Sequence, residues 1–545
     1  MQQSQPTNAR CSGTGQAPPF FYGKALGLIV FLLCACLFAF WVRAYFAYTV
    51  DDAFISFRYA KMLAEGNGLT YNPDGHRVEG YSSFLWVLLM TVPHLLHLNV
   101  VLFAKLVGLL CALGCCAAVF GFAWRLNSAS ACSFWIHPAW FCLLAMVSFP
   151  GTTVHAVAGM ETALFTLLNT VFLLATYAYL TRPGKQRAVL IAVLALLLGL
   201  TRPDGNLIAL VALVAIWWLA RDRGARRSLL TATVLLYVLP GLIYFGWRLA
   251  YYRVPLPLPF YIKVGHPVRL PGLVPVAYYL LAGVGGVTGL FCLLGLLRID
   301  RRILPAALGV AVLLFFYLFT AHMMGYTWRY SAPTFPAFAI LASLGFSALQ
   351  NSLLSERAFP ERVTFAGSRP VVLLLLAGIL ALLVGTSSVF GLKEKSLLRS
   401  YAEGLQKAHI FLGRQLAEFR LAAVPATRTL LLATGDAGAV PYLSGWQTMD
   451  AGGLNDPEIA WRRRPVGEYV MGNHPDLVIL TSSDPEVFLP NPPGNRDLLD
   501  ACLNNGYGRV KVLTFKEHVS YLWLMAKPET AVGKFLANLS QPSSR

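Results

Sequence analysis

Acids and bases are gathered into a few short polar stretches between long apolar runs. The first is YTVDDAFISFRYA, from Tyr48, where Asp51 and Asp52 follow closely on the apolar run 25–42. Adjacent carboxylates repel, so one of the two tends to hold its proton more tightly than a lone acid, which suits a general base or a charge stabiliser for a sugar hydroxyl. Arg58 lies seven residues after Asp51, on the same helical face, and could offset that repulsion. The pair also has a plain structural use: one Asp caps the helix AFISFRYAKMLAEG, which stops at Gly66, and the other is solvated. The spacing leaves open which acid works. A divalent ion could bridge the two, but two adjacent aspartates do not specify a metal, and His76 has no partner at metal-ligand spacing. No other cofactor is implied.

Later stretches add charges of both signs. GNGLTYNPDGHRVEGYSS carries Glu79, a second acid or a turn carboxylate. HAVAGMETALF puts Glu161 at the start of an apolar run, where it could act or simply complement the positive helix end. LTRPDG places Arg202 and Asp204 in a break between two apolar runs, either as a pair that fixes a hairpin or with Arg202 facing an anionic headgroup. PFYIKVG offers Lys263, and GYTWRYSAP offers Arg329 between Trp328 and Tyr330. Such cations bind phosphate, and aromatic faces stack on a sugar or an isoprenoid. The same residue types also anchor helices at a membrane surface.

The elements that must position these groups are membrane helices. Of 545 residues 56% are hydrophobic and 13% charged, and the mean hydropathy is +0.58. Candidate spans are 25–42, 100–124, 134–150, 161–180, 188–201, 206–220, 228–250, 275–297, 303–322, 331–349 and 371–391. The net charge of +18 reflects basic clusters at 182–187, 221–227, 298–302 and 357–369, all of which fall on one side if two spans separate each pair. No nucleic-acid motif accompanies them. Placing the N-terminus in the cytoplasm then requires FLWVLLMTVPHLLHL, near 83–98, to lie in the outer interface and not cross. The result is about eleven transmembrane helices, with almost every polar stretch above on the outer face. The expected organisation is a cytoplasmic segment 1–24, a membrane module 25–392 with a first outer loop 43–99, and a soluble periplasmic α/β domain 393–545. TLLLAT, LVILTS, RVKVLTF and SYLWLMA read as its buried strands. The ten cysteines, Cys11 and Cys132 included, form neither a disulfide framework nor a zinc pattern.

In order, DDAFISFRYAKMLAEGNGLTYNPDGHRVEGYSSFLW, GMETALF, LTRPDG and PFYIK resemble the polytopic GT-C glycosyltransferases, over roughly residues 45–335. Within them the chain looks closest to the arabinofuranosyltransferase branch, which includes the mycobacterial terminal arabinofuranosyltransferases and the type IV pilin arabinosyltransferases. Leu258 and Pro259 stand where related sequences often carry Asn and Thr. The resemblance implies a polyprenyl-phosphate sugar donor, a catalytic acid at Asp51 or Asp52, and donor-phosphate contacts at Lys263 and Arg329. It implies a bacterial inner-membrane enzyme moving D-arabinofuranose to a glycan, pilin or lipid acceptor outside the membrane. A GT-C transferase of a hexose or aminoarabinose is the near alternative. A lipid-linked-substrate transporter or flippase would keep its charges at mid-membrane depth and often show repeats, whereas these span centres are nearly free of charge. An assembly protein that docks others through its C-terminal domain is a further alternative.

Overall fold

The computed structural model describes residues 20–73, 76–127, 136–264, 270–354, 365–425, 428–490 and 496–542. Residues 1–19, with Cys11, and Cys132, Arg357 and Arg362 lie outside them. The apolar runs form helices wherever their length and hydropathy demand it. The first nine are α1 (Phe20–Tyr45), α2 (Ala53–Ala64), α3 (Phe84–Leu95), α4 (Val100–Asn127), α5 (Pro138–Ser148), α6 (Pro150–Val157), α7 (Thr162–Thr181), α8 (Lys185–Thr201) and α9 (Gly205–Leu219). Then follow α10 (Arg223–Thr233), α11 (Leu239–Tyr252), α12 (Leu258–Val264), α13 (Leu273–Tyr278), α14 (Gly286–Leu296), α15 (Leu304–Leu318), α16 (Phe335–Leu354), α17 (Phe365–Leu405) and α18 (Phe411–Ala423).

Among the described residues, seven helical stretches are long and apolar enough to cross a membrane, or nine if each of two bent pairs is one span. Among the described residues all eleven sequence candidates overlap helix; the difference from eleven is the α8–α9 hairpin. These helices have 17 and 15 residues, about 26 and 23 Å at 1.5 Å per residue, short of a hydrocarbon core of about 30 Å. The break has a local cause. Pro203 disfavours helical geometry in the residue before it, and Arg202 is extended, with φ −152° and ψ 138°. The expected interfacial segment is α3, a 12-residue helix.

The C-terminal domain is built on a five-stranded sheet, in the order β2-β1-β3-β5-β4. Strands β1 (Leu431–Thr434), β2 (Gln447–Asp450) and β3 (Leu477–Ser482) are parallel; β5 (Ser520–Ala526) runs antiparallel to both β3 and β4 (Gly508–Lys516). Four of the five match the expected strands. β2 was missed because its four residues, Gln-Thr-Met-Asp, carry little apolar pattern. Helices α17 and α18 lead from the membrane module onto this sheet, where Leu412 and Leu416 pack with Leu432 and Leu522.

The first loop, between α1 and α4, is clamped between the two parts. Arg58 lies 4.5 Å above the Tyr71 ring and donates to the carbonyl oxygens of Tyr71, Pro441 and Trp446. Tyr71 Oη donates to the Ala437 carbonyl at 2.6 Å, and Asn72 exchanges hydrogen bonds with the Thr448 backbone.

Candidate functional site

The two adjacent acids take different environments. Asp51 is 4% exposed, and its oxygens accept the backbone N–H groups of Ala439 at 2.8 Å and Gly438 at 3.1 Å. These amides open the short helix α19 (Ala439–Ser444) of the C-terminal domain. The Asp51 N–H donates to Tyr401 Oη at 3.1 Å. Burial pushes the Asp51 carboxyl up to about 6, with His409 pulling it down and Asp436 pushing it up. Asp51 is therefore a tether between the first loop and the C-terminal domain.

Asp52 occupies the N-cap position of α2 but makes no side-chain cap bond. Its side chain is 22% exposed, and Oδ2 lies 4.0 Å from Arg329 Nη1. Burial raises its pKa, opposed by Arg329 and then Lys263. Neither acid caps the helix that follows, contrary to the structural use open in the sequence.

Arg329 is the centre of positive charge. It is 5% exposed and pairs with Glu161 at 3.3 Å. Its Nε and Nη1 are buried without a hydrogen-bond partner. A guanidinium with donors left over in a buried place is built to receive an anion. The turn that presents it is strained: Thr327 and Trp328 have φ of 45° and 56°, the left-handed region that non-glycine residues avoid. Trp328 itself points away, stacking on Phe149 and Phe390 in the helical core.

Glu161 follows a left-handed turn at Gly159, φ 85°. Burial pushes its carboxyl up, but Arg329 and Arg202 more than cancel this and leave it below the ordinary value. Arg202 and Asp204 pair at 3.3 Å, and both bond the Tyr317 hydroxyl. Arg202 stacks on Phe165 and Tyr330, the ring that also lies beneath Arg329 and Lys263. The structure thus brings Asp52, Glu161, Arg202, Asp204, Lys263 and Arg329 to one place. Glu79 and Arg58 are elsewhere. Glu79 is closed off in a buried pair with Arg248, at 2.6 Å, and Arg58 is occupied by carbonyls.

The C-terminal domain adds groups that sequence reasoning did not single out. Asp436 Oδ2 accepts from His409 Nε2 at 3.0 Å and from Thr481 Oγ1 at 3.3 Å, and its side chain is 30% exposed. Burial pushes its pKa up, and His409 overrides this to leave it low. It is close enough to both Asp51 and Asp52 to raise their pKa values. Its one sequence signal was its place in GDAGAVPYLSG, just before the amides that hold Asp51. Among the described residues, no group of three or more His, Cys, Asp or Glu side chains is arranged to hold a metal ion.

A family model described as Domain of unknown function (DUF8728) matches residues 400–531, the part that carries Tyr401, His409 and Asp436. No curated protein sequence matches the chain. Solved structures share its fold over most of its length. ArnT from Cupriavidus metallidurans is 16% identical in the apo state and 15% when bound to undecaprenyl phosphate. Each has a TM-score of 0.61 and covers 95% of this chain and 100% of that one. The apo oligosaccharyltransferase of Archaeoglobus fulgidus is 11% identical with a TM-score of 0.52, over 85% of this chain and 70% of its own. The chain has a GT-C-like fold. It is a polytopic α-helical membrane protein with a C-terminal sheet domain.

Proposed function

We propose that the protein is a membrane glycosyltransferase that moves a sugar from a polyprenyl-phosphate donor to an extracytoplasmic glycan, pilin or lipid acceptor. The observation that carries this is Arg329: two buried donor nitrogens without a hydrogen-bond partner, next to Asp52. In this reading the donor phosphate lies against Arg329 and near Lys263, with Arg202 behind. Their charge stabilises the phosphate as it leaves. Asp52, the accessible member of the pair, takes the acceptor hydroxyl's proton. Glu161 holds Arg329 in place, and Asp51 only seats the C-terminal domain over the site. The ArnT structure bound to undecaprenyl phosphate supports a lipid phosphate as ligand of this fold. The first-loop motifs favour D-arabinofuranose as the sugar, with aminoarabinose or a hexose as the alternative. The C-terminal domain and the site would face the periplasm of an inner-membrane protein.

The test is purified full-length protein, given polyprenyl-phosphate arabinofuranose and, in parallel, the aminoarabinose donor, with membranes of a strain lacking the protein as acceptor. Asp52→Asn should lower transfer by about 10²–10⁴-fold, the usual worth of a positioned base. Full activity in Asp52→Asn would sink the assignment. Transfer of aminoarabinose alone would correct the sugar.

A further inference from the structure

A cavity of about 450 Å³ lies beside the first loop, lined by Ala47, Thr49 and Phe54 among others. Its walls come from the end of α1, the α3–α4 turn, α17–α18 and α19. None of Asp51, Asp52, Lys263, Arg329 or Asp436 lines it. Its charged lining is cationic throughout. Lys105 and Arg414 face it, with His94, whose Nε2 is buried without a hydrogen-bond partner.

Lys105 is the informative residue. It is 5% exposed, and its Nζ donates to the carbonyls of Phe46, Tyr48 and Val157 at 2.8, 2.5 and 2.8 Å. Its protons are satisfied, but all three partners are neutral. No carboxylate lies within ion-pair distance of it among the described residues. Neutral dipoles do not offset the cost of burying an ammonium, so an anion in the adjoining space would stabilise the charged form.

Exposed leucines border the cavity on its α3–α4 side. Leu95, Leu96, Leu98 and Leu102 around the α3–α4 turn are 46–61% exposed, and Leu106 and Leu110 continue the same apolar strip along α4. Leu98 and Leu102 also line the cavity. A ligand there would meet cations at one end and bilayer at the other.

We propose that this cavity binds one anionic phospholipid of the surrounding bilayer, its phosphate between Lys105, His94 and Arg414 and an acyl chain along Leu102, Leu106 and Leu110. A phosphate supplies the missing countercharge, and the apolar strip supplies the path for the chain. Because Arg414 is on α18 and Leu443 on α19, the bound lipid bridges the membrane module and the C-terminal domain. This inference does not depend on the sugar-transfer reading.

The test is native mass spectrometry of the full-length protein after delipidation, with phosphatidylglycerol, phosphatidylcholine or polyprenyl phosphate added back. The expected result is retention of one phosphatidylglycerol, about fivefold over phosphatidylcholine. Arg414→Gln should cut retention by roughly tenfold, the loss of one charge-assisted hydrogen bond. Ala47→Trp, which fills the cavity from its exposed rim, should do the same without touching a charge. Equal retention of the two phospholipids, or unchanged retention in both variants, would overturn the proposal. So would displacement of phosphatidylglycerol by equimolar polyprenyl phosphate, which would assign the cavity to the carrier lipid.

Discussion

Asp51 and Asp52 are joined by a single peptide bond and differ in what their oxygens meet. Both Asp51 oxygens accept backbone amides, whereas Asp52 faces a cation and keeps 22% of its side chain exposed. This division has a pH signature. The folded pKa of Asp51 is held up at about 6 by burial, with Asp436 beside it, against about 3.9 in an unfolded chain. An acid whose pKa is raised by folding contributes stability that is complete below about pH 4 and is lost as pH rises through about 6. Asp51→Asn removes that dependence. The melting temperature of the native protein minus that of the variant should therefore fall between pH 4 and pH 7, as read by thermal unfolding in detergent. A difference that grows with pH would contradict the burial of this carboxyl.

At the scale of elements, the Glu79–Arg248 pair fixes the first loop to α11. Glu79 is 3% exposed and so is Arg248. The Glu79 carbonyl also accepts the Leu258 N–H at 3.0 Å, at the start of α12, the helix that carries Lys263. Breaking one partner of a buried pair leaves the other charge uncompensated, at a cost of about 3–5 kcal/mol. Arg248→Gln should therefore lower the melting temperature strongly, and Arg248→Gln with Glu79→Gln should recover part of the loss. Additive losses, with the double variant costing as much as Arg248→Gln and Glu79→Gln together, would mean the pair is not coupled. The strained turn at Thr327 and Trp328 works at the same scale, since it sets the direction from which Arg329 enters the site.

At the scale of the whole molecule, the C-terminal domain is held over the membrane module by the first loop. Gly438 is one tight point of this seating: a Cβ there would stand 2.1 Å from the Asp51 carbonyl oxygen and 2.3 Å from its carboxylate. Gly438→Val should unseat the domain without unfolding either part. Transfer should drop by about 100-fold, the scale expected from a misplacement of about 1 Å. The first loop should become open to trypsin at Arg58 and Lys61. A variant with normal activity and an uncut loop would show that the seating does not shape the site.

The amino-acid sequence by itself determined the long apolar helices, four of the five strands and the set of charged stretches at Glu161, Arg202, Lys263 and Arg329. Those features follow from local hydropathy, periodicity and charge, which a linear reading can weigh. Tertiary structure decided the roles. Asp51 meets the Ala439 amide 388 positions away, Glu79 meets Arg248 across 169, and Glu161 meets Arg329 across 168. His409 and Asp436 join the acids only because the sheet domain folds back over the first loop. Whether a carboxylate ends as tether, closed pair or accessible base depends on partners and burial, which are fixed by packing between distant segments.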